Sequence, residues 1–403
     1  TAQVVGSLRQ LGFEHHLDPV KKHKVATLSR NCPEWLICDM AAMCAGGAGT
    51  GVYTSDPADK VEYVVTNSGA RILFVDGKNQ LDKAMTFVDR TPEFFRVIVF
   101  FPDEELPVHP KVMSFAAFLD LGRHVDMPEV IRSGCSIGPE EMCMIVYTSG
   151  TTGDPKGAMN THANLMFEAK CLCDIMQQAE KIDDLREALG KHVILSFLPL
   201  CHIAERLQSQ LALILLVGCT YFAESIQTVL RDLQESRPTL LTCVPRMWQK
   251  IHDEMQKGFN AATGIKGALI RKTMELGGEL FHMRNHGMKP TLWQRVKFAV
   301  LRAAVIRKIK ARLGLQRTSL LFSGAAPLGK QLADFFGALE LEIIEVYGQT
   351  ECAGICTANP PGRIRPGSVG KPVDGVQIRI GAKGEVLVRG PSVFLGYLGD
   401  PEK

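Results

Sequence analysis

The chain holds 403 residues, 46% hydrophobic and 22% charged, which is ordinary for a globular protein of two or three domains or one large composite α/β domain. A net charge of +3 argues against a nucleic-acid binder by charge alone. The longest apolar run, at 211–219, is about half of the ~20 residues that span a bilayer, so it is expected to be a buried helix or strand and nothing is expected to cross a membrane.

KVATLS (24–29) and RILFVDG (71–77) read as short buried strands, and EWLICDMAAMCAGG (34–47) between them reads as a helix stopped by glycines. RVIVFF (96–101) is another continuous apolar strand, ahead of Pro102. Strands alternating with helices predict an α/β class with covered, mostly parallel sheets. The rhythm continues through MCMIVYTSG (142–150), HVILSFLPL (192–200), TLLTCVPR (239–246), TSLLFSGAAP (318–327) and LEIIEVYGQTE (341–351). Four of these strands end in polar, glycine-bearing or histidine-bearing segments. Ligands of open α/β sheets sit beyond the carboxyl ends of strands, so one cleft is expected there. The Gly- and Pro-rich tail, 360–390, carries the short alternating strands QIRI and EVLVR and predicts a small antiparallel, barrel-like unit. The boundaries expected are a first α/β region at about 1–140, a second at 141–359 and the β-rich unit at 360–403.

Twelve cysteines show no metal spacing and no CxxC, and several lie in apolar runs, which predicts free thiols in a reducing compartment. No signal peptide is visible, and the first residue is Thr1, which leaves room for a preceding segment.

Four segments carry chemistry. YTSGTTGDPKG (147–157) packs hydroxyls, glycines and one lysine behind a strand, so backbone N–H groups and hydroxyls there suit phosphate oxygens. It is no Walker A loop: Pro155 stands where that loop needs a helix start, and Gly157, not Ser or Thr, follows Lys156. LPLCHIAER (198–206) places His202 at a strand end; a Cys201–His202 nucleophile pair is rejected because adjacent residues on extended chain point opposite ways. In SGAAPL (323–328) small residues leave room for a flat ring. In VYGQTE (346–351) Tyr347 offers a stacking face, Thr350 a phosphate donor and Glu351 a hard oxygen for magnesium.

Each segment alone is weak, but together and in this order they resemble the acyl-adenylate-forming superfamily of AMP-binding synthetases. GEVLVRGPSVFLGY (384–397) is similar to the stretch before that family's hinge. LPLCHIAER, YFAES (221–225), RPTLLTCVPRMWQKI (237–251) and the early stretch 45–77 look most like long-chain fatty acyl-CoA synthetases. The resemblance implies the large N-terminal domain of that fold. It also implies activation of a carboxylate by ATP and Mg2+ to an acyl-adenylate, followed by thioester formation with CoA as co-substrate. By resemblance, Ser149, Gly150, Thr151, Thr152 and Gly153 cradle the β- and γ-phosphates with Lys156 at the same loop, and Thr148 and Glu351 hold magnesium. Gly324, Ala325, Ala326 and Tyr347 frame the adenine, Gly348 counts with them among the nucleotide-binding residues, Thr350 meets the α-phosphate and His202 sits beside the carboxylate or acyl phosphate. The catalytic set implied is His202, Lys156, Thr350 and Glu351. Where some relatives carry an aromatic gate to the fatty-acid tunnel, this chain has Arg206.

The family continues into an aspartate segment, a hinge and a small lid carrying the adenylation lysine, while this chain stops at Lys403, so the lid is expected outside it. Medium-chain or aryl acids, a non-catalytic nucleotide- or lipid-binding protein and a Walker-type NTPase are the rival readings. Between Lys257 and Arg317, 14 Lys or Arg face two acidic residues, a local +12 that leaves the rest near −9. Within it, 291–312 is helix-prone with charges all around; a solvated, partly packed helix, contact with an anionic membrane surface and nucleic-acid contact are the readings open for it. The partners expected are a fatty acid, ATP and CoA, with no nucleic acid and a homodimer left open, in the cytoplasm or on the cytoplasmic face of a membrane.

Overall fold

The apolar runs at 24–29, 71–77 and 96–101 form the strands Lys24–Leu28, Ala70–Val75 and Arg96–Val99 in the computed structural model, which describes residues 1–148 and 154–400. The chain divides into two units. Unit 1 comprises Thr1–Phe167, Leu198–Leu207 and Pro391–Lys403; unit 2 comprises Glu168–Phe197 and Gln208–Gly390.

Unit 1 contains β1 (Lys24–Leu28), β2 (Ala48–Gly51), β3 (Ala70–Val75), β4 (Arg96–Val99), β5 (Val112–Ser114), β6 (Met142–Thr148), β7 (Lys156–Thr161) and, from the tail, β17 (Gly396–Tyr397). They form one sheet in the order β17-β7-β6-β2-β1-β3-β4-β5. Strands β1 to β6 run parallel, and β7 and β17 add an antiparallel edge. The step from β1 to β2 and the step from β2 to β3 run in opposite directions along the sheet. Right-handed crossovers therefore put their helices, Pro33–Cys44 and Ala58–Ser68, on opposite faces. Leu28, Leu73, Val75 and Val97 pack with Val61, Val65 and Leu81, while Val25, Phe74 and Ile98 alternate with them and are also buried. A strand covered on both sides needs the unbroken apolar run seen in the sequence.

Unit 2 contains β8 (Val193–Ser196), β9 (Cys219–Phe222), β10 (Leu240–Cys243), β11 (Leu320–Ser323), β12 (Ile343–Gln349), β13 (Gly354–Ala358), β14 (Lys371–Pro372), β15 (Gln377–Ile380) and β16 (Val386–Arg389). The first seven form a sheet in the order β14-β13-β12-β11-β10-β8-β9, parallel from β9 to β12 and antiparallel beyond. One face, with Leu241, Cys243, Leu321 and Ile343, packs on Trp248, Ile251 and Phe336; the other, with Leu240, Phe322 and Ile344, packs on Leu172, Met176 and Phe281. Trp248 Nε1 also donates to the Phe322 carbonyl at 3.2 Å, which ties the helix Pro245–Asn260 to the middle of the sheet.

Three expectations need correction or refinement. The tail does not close into a barrel among the described residues: β15 and β16 pair only with each other, β14 joins the sheet of unit 2 and β17 joins that of unit 1. The run 211–219 is only partly buried, because its helix Leu213–Leu216 lies with one side outward and leaves Ile214 and Val217 exposed. The basic segment is helical, Leu292–Leu301 continuing through a π-helical turn at Arg302–Ile306 to Arg307–Leu313. All twelve cysteines are free thiols. No helix among the described residues is long and apolar enough to cross a membrane.

Candidate functional site

Thr148 closes β6, Lys156 opens β7, and the two are register partners across the antiparallel ladder. The predicted phosphate donors between them, Ser149, Gly150, Thr151, Thr152 and Gly153, lie outside the described residues. The motif is thus followed by a strand from Lys156, whereas a Walker motif opens a helix, and this weighs against the NTPase reading on architecture as well as on sequence. Gly157 is required by close packing: a Cβ there would lie 2.9 Å from Ile145 Cγ2 and 3.2 Å from Tyr147 Cζ. Two tyrosine hydroxyls, one on each side, tie the hairpin to the helix Ala58–Ser68. The Tyr147 hydroxyl donates to Asn67 Oδ1 at 2.7 Å and the Tyr63 hydroxyl to the Pro155 carbonyl at 3.1 Å. Burial pushes both phenols up, so they remain donors at neutral pH. Lys156 Nζ stands 5.3 Å from the centroid of the Tyr397 ring, which β17 delivers by pairing Tyr397 with Ala158.

His202 lies on a separate segment of unit 1, as the N-cap of the short helix Ile203–Arg206. Its Nδ1 accepts from the Ala204 N–H at 3.2 Å, and burial lowers its pKa. The neutral ring therefore carries its proton on Nε2, as a donor. Asn31 fixes the preceding turn, donating to the Leu198 carbonyl at 2.7 Å and accepting from the Leu200 N–H at 3.2 Å. Burial pushes the neighbouring Cys201 thiol up to about 12, away from the thiolate a nucleophile needs. Arg206 is fully buried, paired with Asp39 and 5.0 Å from the Trp35 ring centroid, so it belongs to the interior of unit 1.

In unit 2 the two remaining motifs meet at the ends of adjacent parallel strands, where Ser323 of β11 is the register partner of Glu345 of β12. Gly324, Ala325 and Ala326 form the turn after β11, and a Cβ on Gly324 would lie 3.0 Å from Val346 Cγ2. Ala325 takes a left-handed φ of 66°, a strained value for a residue with a Cβ. The turn is pinned from beneath by the buried Glu345, whose Oε1 accepts from the Leu328 N–H at 3.0 Å. Beyond Tyr347, Gly348 crosses so near its partner strand that a Cβ would lie 1.6 Å from the Gly354 carbonyl oxygen. A 3₁₀ turn, Thr350–Cys352, then buries Thr350 and leaves Glu351 half-buried. The hairpin β12–β13 is anchored by Glu168, which accepts from the Ile355 N–H at 2.6 Å. Burial raises the pKa of that carboxyl to about 8.

Thr148 and Lys156 therefore come together in unit 1, and Gly324 to Ala326 come together with Tyr347 to Glu351 in unit 2. Sequence reasoning missed Glu168, Glu345, Tyr63 and Tyr397. A carboxylate inside an apolar strand, as in LEIIEV, is the one signal that pointed to any of them.

These two mostly parallel sheets with strand-end turns have the architecture of adenylate-forming enzymes. The model of the AMP-binding enzyme family matches residues 8–398, and the chain belongs to that family. It is 32% identical to the long-chain-fatty-acid–CoA ligase ACSBG2 of Xenopus laevis over 98% of this chain and 52% of that protein. To the long-chain-fatty-acid–CoA ligase heimdall of Drosophila melanogaster it is 29% identical over 95% of this chain and 56% of that protein. The chain thus spans about half the length of the relatives it matches. Among solved structures, the anthranilate CoA ligase AuaEII superposes with a TM-score of 0.69 at 20% identity, over 98% of this chain and 64% of that one. ATP-bound MatB from Rhodopseudomonas palustris superposes with a TM-score of 0.67 at 21% identity, over 100% and 65%.

Proposed function

We propose that this chain is the large N-terminal region of an AMP-forming long-chain-fatty-acid–CoA ligase. The observation that carries the reading is its likeness over 98% of its length to a ligase of that name. A fatty-acid carboxylate oxygen attacks the α-phosphorus of ATP in line and pyrophosphate leaves; the CoA thiol then attacks the acyl carbon and AMP leaves. Positioning and neutralisation of charge carry most of such a step.

Lys156 supplies a positive charge to the phosphates, with Ser149, Gly150, Thr151, Thr152 and Gly153 as the further donors. The Nε2–H of His202 donates to the acid's carboxylate or to the acyl phosphate. Thr350 donates to the α-phosphate, and Tyr347 with the backbone of Gly324 to Ala326 and Gly348 frames the adenine. The Thr148 hydroxyl and the half-buried Glu351 carboxylate are the hard oxygens that suit magnesium, which takes few protein ligands and the rest from phosphate and water. When bound, magnesium would neutralise phosphate charge. The working location is the cytoplasm or the cytoplasmic face of a membrane, with peripheral contact through 291–312.

The test is fatty-acid-dependent AMP release by the full-length protein carrying Lys156→Ala or Glu351→Ala. Each change is expected to lower the rate by at least about a hundredfold, the loss typical of one preorganised electrostatic group. Wild-type rates in both variants would undo the assignment.

A further inference from the structure

The helix that begins at Leu292 carries apolar side chains on two opposite faces. At about 100° per residue, Phe298 and Leu301 point one way, and Leu301 is 5% exposed. Leu292, Trp293, Val296 and Val300 point the other way and are 76%, 73%, 50% and 64% exposed. A soluble helix with one packed face is expected to be polar on its other side. Here the outward side is an apolar stripe at helical spacing, flanked by the exposed cations Arg295 and Lys297. This second stripe is why the charges of the segment form no clean polar face.

The cations continue along the helix through Arg302, Arg307, Lys308 and Arg312, all exposed. Arg302 pairs with Glu340 at 2.7 Å, but among the described residues no ion pair takes up Arg295, Lys297, Arg307, Lys308 or Arg312. The sequence has no Asp or Glu from Leu280 to Ala333. The carboxylates that reach this helix, Glu279 at Gln294 (2.8 Å) and Glu340 at Arg302, come from other elements and leave the cations beside the stripe, Arg295 and Lys297, without an ion pair among the described residues. An exposed tryptophan within an apolar stripe flanked by such cations matches the boundary between anionic headgroups and acyl chains.

We propose that this face docks on an anionic phospholipid bilayer, with Leu292, Trp293, Val296 and Val300 entering the headgroup–acyl boundary and the flanking cations meeting lipid phosphates. The proposal gives the peripheral contact named above a defined face, and its readout needs no ligase activity. Of the chain's three tryptophans, Trp35 and Trp248 are 1% and 0% exposed, so Trp293 is the one placed to sense a bilayer.

Full-length protein is mixed with phosphatidylcholine vesicles with and without phosphatidylserine, at low and high salt, and the Trp293 signal is isolated by subtracting Trp293→Phe. The account expects sedimentation with phosphatidylserine vesicles at low salt, a blue shift of Trp293 emission, and weakening of both at high salt. The pair Val296→Glu and Val300→Glu is expected to lower partitioning by at least about tenfold, with unchanged circular dichroism and urea midpoint showing that the protein still folds. Absence of vesicle binding at low salt would overturn the proposal. So would binding without a Trp293 shift, binding unchanged in the double variant, or capture of acidic soluble proteins on this face in place of vesicles.

Discussion

The hairpin β6–β7 of unit 1 and the hairpin β12–β13 of unit 2 both end in motif residues, yet they are held by opposite means. The first is gripped by tyrosine hydroxyls reaching Asn67 and the Pro155 carbonyl. The second, with the turn beside it, is held by buried carboxyls: Glu168 under the Ile355 N–H and Glu345 under the Leu328 N–H. A phenol keeps its proton and charge state across the physiological range, whereas burial raises the Glu168 carboxyl to about 8. Through Glu168, unit 2 therefore carries a pH-dependent stability contribution that the tyrosine contacts of unit 1's hairpin lack.

The largest effect on this contrast is expected from Glu345→Ala, which strands the buried Leu328 N–H. The cost is about 1–3 kcal/mol, read as a lower urea midpoint, with adenylation falling alongside as the Gly324–Ala326 turn loosens. An unchanged midpoint would mean that the turn holds itself. A smaller and differently shaped effect is expected from Glu168→Gln, which keeps an acceptor for the Ile355 N–H. The folded pKa of Glu168, about 8, lies above its ordinary 4.5, so between those values the folded protein keeps a proton that the unfolded chain releases. The stability from this group is full at the acid end and is lost as pH rises through that window. Glu168→Gln should therefore flatten the fall of melting temperature over that range, and parallel curves for variant and wild type would count against it.

Much of the fold was legible because doubly covered strands must be apolar throughout, as in RILFV and TLLTC, whereas the half-polar strand KGAMNT that follows the first motif was not read as a strand. The placement of the motif residues was legible where they follow predicted strands, as Gly324 to Ala326 follow β11 and Thr350 and Glu351 follow β12. It was not legible where the holding residue comes from far along the chain. Glu168 lies 187 residues from the amide it accepts from, and Arg206 lies 167 residues from its partner Asp39. No spacing rule reaches across such distances, so the sequence left open what Arg206 does where some relatives carry an aromatic gate, and only the structure shows it in a buried ion pair with Asp39. The tail failed as a barrel because pairing partners of short strands are set by the sheets they meet, and QIRI with EVLVR looks the same free or closed.

The central claim is that the motif YTSGTTGDPKG (147–157) serves adenylation and not hydrolysis of the γ-phosphate. The direct measurement incubates the full-length protein with MgATP, CoA and a chain-length series of fatty acids and identifies the nucleotide released. The account predicts AMP with pyrophosphate, dependent on a long-chain acid. ADP with inorganic phosphate, or no AMP with any acid, would contradict it.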